Sequence, residues 1–234
     1  MQQGLLLETP PLDVYEQMAL DEALAVPAQK AVFRAYNWKG GGVTFGYAQF
    51  FDEVKQTLPV GIAVTRRPTG GGIVAHEDDF TFSCVLPEGG RRPPQELYAL
   101  LHGAFYEALK AAGVDCSLSA PAVKPAAAAY APSSNGRASA CFKNPVPLDL
   151  LDAAGKKILG GAIRRYEGAA LYQGSLQSKG ARVRGAHLAE VFSKALGERL
   201  GIEWETVRAG ELLLAKSRAD AVSCYRSAQW IEKF

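Results

Sequence analysis

No apolar run in this 234-residue chain approaches the roughly twenty residues needed to cross a bilayer, and Met1-Gln2-Gln3-Gly4 lacks the basic start of a secretory signal. A cytoplasmic protein with no membrane partner is the expectation. An excess of charge of one sign is missing too: 26 Lys and Arg stand against 24 Asp and Glu, a formal net charge of +2. No basic run is interleaved with aromatics, which sets nucleic-acid binding aside. Cysteine is sparse, and Cys84, Cys116, Cys141 and Cys224 show neither CxxC spacing nor a paired histidine pattern. Neither a metal site nor a disulfide framework is therefore expected, and in a reducing compartment each cysteine is a free thiol, which leaves one of them open to chemistry.

What is present is an ordinary globular composition, 48% hydrophobic and 21% charged, and enough chain for one sizeable core. Residues 1–234 read as a single domain. Leu5–Glu8 reads as a strand and Asp13–Leu24 as a helix with acidic residues in its first turn. Ala31–Trp38 and Val43–Tyr47 read as two strands of a hairpin across Gly40-Gly41-Gly42, followed by a short helix around Phe51 to Thr57. Phe80, Phe82, Cys84 and Leu86 alternate as on a strand, which makes Cys84 a buried, inert thiol.

From Pro94 to Gly113 the apolar residues fall at helical spacing, with Gly113 as C-cap and His102 beside the stripe, partly exposed. A short strand around Cys116 follows. Residues 119–140 have no periodicity and are rich in Ala, Pro and Ser, so they are expected to form a flexible loop beside the site. Strands are predicted over Leu148–Leu151, Lys157–Arg164 and Ala169–Leu176, and closing helices over residues 186–234. The mixed order predicts an α+β fold with one main sheet.

Two stretches carry the chemistry. In Arg66-Arg67-Pro68-Thr69-Gly70-Gly71-Gly72-Ile73-Val74-Ala75-His76, three glycines accept an entropic cost that something must require. Read locally, they make a strand, a glycine turn and a second strand. Such a turn lets backbone N–H groups approach a ligand, and the arginines suit a carboxylate, carbonyl or phosphate. A hairpin turn with two solvated arginines is the plain alternative. In Lys157-Ile158-Leu159-Gly160-Gly161-Ala162-Ile163-Arg164, small residues again lie between cations; strand alternation puts Lys157 and Ile163 on one face and leaves room at Gly160 and Ala162 on the other.

Together the two stretches resemble the catalytic domain of the lipoate-protein ligase, octanoyltransferase and biotin ligase superfamily, with its patterns Arg-Arg-x-Ser/Thr-Gly-Gly-Gly-x-Val-x-His and Lys-Ile/Val-x-Gly-Ser-Ala. The resemblance runs from about Met18 to Leu176. It implies a mixed, largely antiparallel central sheet flanked by helices, with Arg67, Thr69, Gly70, Gly71, Gly72, His76, Gly160, Gly161 and Ala162 around the substrate. His76 either borders the acyl pocket or is a structural histidine satisfied by the backbone; Arg67 orients the turn or the acyl head group, and Arg66 is solvated.

Ala140-Cys141-Phe142 looks like the Ala-Cys-Phe segment of the cysteine-dependent octanoyltransferases, with the lysine motif about fifteen residues on. That implies octanoyl transfer from acyl carrier protein through a Cys141 thioester to a lysine of a lipoyl carrier domain, with no cofactor. The thiolate is the reactive form, and a free thiol with a pKa of about 8.5 is helped by a neighbouring ammonium, for which Lys157 is the candidate. The ammonium also suits the thioester oxygen as it gains charge.

An ATP- and magnesium-dependent lipoate ligase is the alternative, though such ligases often carry an accessory C-terminal domain for which little chain follows Leu176. A non-catalytic acyl- or carrier-binding module is the third reading. Basic residues Lys143, Arg164 and Arg165 suit acidic carriers. Three positions depart from the family: Gly161 stands where serine is common, Gln173 where histidine is usual and Glu77 where aspartate is frequent. They leave room for an altered acyl substrate or lost activity.

Overall fold

The computed structural model describes residues 2–26, 28–87, 92–120 and 141–234. Strand β1 (Gln2–Glu8) leads to helix α1 (Val14–Ala25). A reciprocal cap starts the helix: the Asp13 carboxylate accepts the N–H groups of Tyr15 and Glu16, and the Glu16 carboxylate accepts that of Asp13. Next come β2 (Ala31–Tyr36), β3 (Gly42–Phe45), α2 (Phe51–Lys55), β4 (Val64–Arg66), β5 (Val74–His76) and β6 (Phe80–Pro87). Helix α3 (Pro94–Ala111) ends where Gly113 takes φ +76°. The chain continues through β7 (Cys116–Leu118), β8 (Leu150–Asp152), β9 (Lys157–Tyr166), β10 (Ala169–Leu176), α4 (Gly185–Leu200) and β11 (Ile202–Arg208). Helix α5 (Glu211–Asp220), a π-helical turn over Ala221–Tyr225 and α6 (Ala228–Ile231) complete it.

The architecture is the expected α+β one. An eight-stranded sheet runs β11-β1-β2-β6-β10-β9-β8-β7, parallel among β11, β1 and β2 and antiparallel elsewhere, and a three-stranded sheet runs β4-β3-β5. Among the described residues no helix is long and apolar enough to cross a membrane.

Strand pairing differs from the local reading in three places. β2 and β3 do not form a hairpin: β1 and β6 occupy both edges of β2, and β3 pairs instead with β4 and β5. The glycine-turn strands β4 and β5 do not pair with each other either. They flank β3, so the Gly70-Gly71-Gly72 connection crosses the end of that strand, a span of about 10 Å. Residues after 186 are not all helical, because β11 pairs in parallel with the edge of β1 that would otherwise be open. The expected loop at 119–140 lies, from residue 121 on, outside the described residues.

The two faces of the large sheet have different chemistry. Phe33, Cys84, Tyr172 and Ile163 lie side by side across β2, β6, β10 and β9, as do Ala35, Phe82, Gly174 and Gly161. This face packs on Leu101 and Phe105 of α3 and on Leu188 and Phe192 of α4. Cys84 is buried in it as expected, and burial pushes its thiol well up. One residue over, strand alternation turns the opposite set of side chains toward α1 and the small sheet, and that set is polar.

Candidate active site

Two rows of side chains floor the polar face: Tyr36, Thr81, Ser175 and Gly160 in one, Arg34, Ser83, Gln173 and Ala162 in the next. Above the second row α1 supplies Asp21, which accepts from Arg34 at 2.6 Å and Ser83 at 2.7 Å. Its other oxygen accepts the Gln173 amide at 2.7 Å, while Gln173 Oε1 accepts the Thr69 hydroxyl at 2.6 Å. Gln173 thus ties the chain just before the glycines to a fully buried ion pair. An isolated charge could not be buried there; this one is paired and bonded on each side.

Arg67 organises the glycine turn from within. Its Nε and Nη2 donate to the Gly70 carbonyl at 3.0 and 2.6 Å, and Nη2 also donates to that of Gly72 at 2.7 Å. Gly71 alone of the three takes a positive φ, +90°, and a Cβ there would lie 2.8 Å from Arg67 Nη2. Close approach extends to Gly46, whose Cβ position is 1.9 Å from the Gly71 oxygen. Burial lowers the Arg67 pKa, opposed by the charge of Cys141.

His76 is held by side chains, not by backbone. Its Nδ1 lies 2.9 Å from Asp79 Oδ2, its Nε2 2.8 Å from Thr44 Oγ1, and its ring stacks on Trp38 with centroids 4.2 Å apart. Burial alone pushes the Asp79 carboxyl up. The His76 ring and the hydroxyls of Thr81 and Ser175 outweigh that and keep it below its ordinary value. An ionised carboxylate only accepts, so Nδ1 carries the hydrogen.

Cys141 lies beside this turn. Its N–H donates to the Ile73 carbonyl at 3.0 Å, and its Sγ is 3.8 Å from the Gly71 Cβ position. Lys157 Nζ reaches it at 3.7 Å. Lys157 is 3% exposed, paired with Asp149 at 2.9 Å and over the Phe142 ring at 5.2 Å. Strand alternation alone puts Lys157 and Gly160 on opposite faces. The lysine stem nevertheless curls across Gly160, whose Cβ position is 2.2 Å from Lys157 Cε. Gly160 therefore makes room for the lysine.

A small pocket opens here. Arg67, His76, Cys141, Gly160, Gly161 and Ala162 line it, all expected from the sequence. Thr69, Gly70, Gly71 and Gly72 do not line it, and neither does Lys157, which meets it only through Cys141; Thr69 is buried on Gln173.

Two expectations fail. Arg66 is not solvated: it is fully buried, donating to the carbonyls of Tyr47, Gln49, Trp230 and Ile231, and burial lowers its pKa to about 10. His102 is not partly exposed but fully buried, because the α3 stripe is wider than its aliphatic residues suggested. Asp149, Tyr98 and Asp21 are partners that sequence reasoning missed. A lone aspartate between Leu148 and Leu150 is the one local signal that pointed to Asp149.

Residues 13–200 match the family described as the lipoyl protein ligase A/B catalytic domain. The chain is 32% identical over 180 residues to octanoyltransferase LipM of Oceanobacillus iheyensis, covering 73% of this chain and 62% of that protein. It is 30% identical over 174 residues to octanoyltransferase LipM of Staphylococcus aureus, covering 70% and 62%. The chain thus spans less than two thirds of the length of these relatives. In fold it is similar to a lipoate-protein ligase A bound with ATP, at TM-score 0.75 and 21% identity over 99% of both chains. It is also similar to the bi-partite lipoate protein ligase of Thermoplasma acidophilum, described with its E2 lipoyl domain, at TM-score 0.72 and 20% identity over 99% and 97%.

Proposed function

Because the chain belongs to the lipoyl protein ligase A/B catalytic-domain family, we propose that it is an octanoyltransferase working through a covalent thioester on Cys141. The observation that carries this reading is the 3.7 Å approach of the Lys157 ammonium to the Cys141 sulfur at a cavity wall. The similarity to the LipM octanoyltransferases supports the same activity. The chain acts as one catalytic domain, a reading supported by the pairing of β1 with β11 in the large sheet, and its place of action is the cytoplasm.

The donor is an octanoyl thioester of acyl carrier protein. The Cys141 thiolate attacks the thioester carbonyl, the carbon–sulfur bond to the carrier breaks, and the carrier leaves as its thiol after taking up a proton. A thioester replaces a thioester, so the step needs little driving force. A lysine amine of a lipoyl carrier domain then attacks the acyl-enzyme, loses a proton and expels Cys141, leaving a stable amide. The second exchange runs downhill without ATP. Lys157 faces the sulfur, from where its ammonium can serve the carbonyl oxygen as it gains charge, and Arg67 adds a second buried cation beside the turn.

Intact mass of the protein incubated with octanoyl carrier protein and no ATP tests this. An octanoyl adduct is expected on the wild type and none on Cys141→Ala. Transfer at the wild-type rate by that variant would refute the nucleophile, while strict ATP dependence with pyrophosphate release would select a ligase.

A further inference from the structure

We propose that Asp149 is a positioning residue for acyl transfer: buried and clamped by helix α3, it aims the Lys157 ammonium at the Cys141 sulfur. The inference rests on the roles given above to Cys141 and Lys157. A lysine stem has four rotatable carbons and a compact charge, so Nζ has no preferred direction of its own. Here the Asp149 Oδ2 oxygen holds it at 2.9 Å, with the sulfur 3.7 Å from the same nitrogen.

The carboxylate is itself held at every side. Oδ2 also accepts the Val146 N–H at 2.7 Å, and Oδ1 accepts the Tyr98 hydroxyl at 2.6 Å. Tyr98 OH lies 3.3 Å from the Gly161 N–H, which donates to it, so the same hydroxyl ties Asp149 to the backbone of β9. Burial, reinforced by the Asp149 charge, pushes the Tyr98 phenol well up and keeps it a donor.

The backbone before Asp149 is strained. Leu148 has φ +71°, the one non-glycine residue with positive φ among the described residues. Such a conformation persists where the surroundings over-determine it, and they cluster at functional sites. What holds it is His102, one turn along α3 from Tyr98: its Nδ1 donates to the Leu148 carbonyl at 2.8 Å. A carbonyl only accepts, so Nδ1 carries the hydrogen and Nε2 accepts the Tyr172 hydroxyl at 2.9 Å. Two side chains of one helix turn therefore grip consecutive residues, His102 the strained Leu148 and Tyr98 the carboxylate beside it. Gly160 completes the cradle, since a Cβ there would meet both Lys157 and, at 3.3 Å, Asp149 Oδ1.

The test compares two reactions of one sulfur, each followed across pH and expressed as a rate per thiolate: single-turnover octanoylation by octanoyl carrier protein, which needs an ammonium aimed at the reacting thioester, and alkylation of Cys141 by iodoacetamide, located by peptide mass, which once the thiolate is formed does not. Asp149→Asn is expected to slow octanoylation about 100-fold, the scale of a misplacement near 1 Å. Its alkylation rate per thiolate is expected to stay within about threefold of wild type, because iodoacetamide makes no demand on the ammonium once the thiolate is formed. Tyr98→Phe, which removes one oxygen and is the milder change for folding, is expected to slow octanoylation about 10-fold with alkylation unchanged. Octanoylation near the wild-type rate in both variants overturns the assignment, and so does a parallel fall of both rates per thiolate, which marks a merely structural role. If the wild type itself forms no octanoyl adduct, the Cys141 reading fails first, an outcome distinct from either.

Discussion

A serine at position 161 would place its Cβ 2.3 Å from the Tyr172 ring and hydroxyl, and that ring is fixed by its bond to His102. Gly161→Ser is therefore expected to destabilise the protein by about 1–3 kcal/mol, read from denaturant midpoints, as overpacked cores do. Unchanged stability would mean that Tyr172 gives way freely. The family departure at this position is thus matched by a large neighbour on the core face of the sheet. The departure at Gln173 has a similar local account, since its amide serves Thr69 with one end and Asp21 with the other. Thr69 and Asp21 each lie more than a hundred residues from Gln173, and Tyr172 meets Gly161 only because β9 and β10 pair, so neither account was legible from the motif itself.

At the scale of elements, α3 does two jobs. Its Leu101, Phe105 and Leu109 fill the core, and its Tyr98 and His102 reach the segment before β8. Burial moves the His102 pKa from 6.5 down to about 3. Between those values the unfolded chain binds a proton that the folded protein excludes, so stability falls on acidification. The loss from this group is expected to begin near pH 6.5 and to run toward about pH 3, at up to about 1.4 kcal/mol per pH unit. Urea midpoints across that window check it: His102→Gln should be less stable at neutral pH yet show a shallower acid slope, and an equal slope would contradict the assignment. The helix and the strands β6, β9 and β10 were legible because apolar period is written locally. The pairing of β2, β3, β4 and β5 was not. A hairpin is the cheapest local closure, yet β1 and β6 already satisfied both edges of β2.

For the whole molecule, the formal charge of +2 is small, but Lys143 and Arg165 are exposed and Arg164 is half-buried over the Tyr47 ring near the glycine turn. If acidic carriers meet these residues, raising salt from about 50 to 500 mM should weaken the carrier KM severalfold and leave kcat nearly unchanged, since screening shortens the reach of exposed charges. A salt-independent KM would remove them from docking. Lys143→Glu should reproduce the high-salt value at low salt.

The residue sequence by itself determined the apolar periods that make these helices and strands, the glycines at Gly71 and Gly160 that only small residues can fill, and the presence of one cysteine and one lysine in family motifs. Each is a property of neighbours along the chain. Tertiary structure alone decided that the glycine connection crosses β3, that Arg66 and His102 are buried, and that Asp149 stands between Tyr98 and Lys157. Those facts depend on contacts between distant segments, where burial makes an unpaired charge costly and so dictates which partner each ion must find.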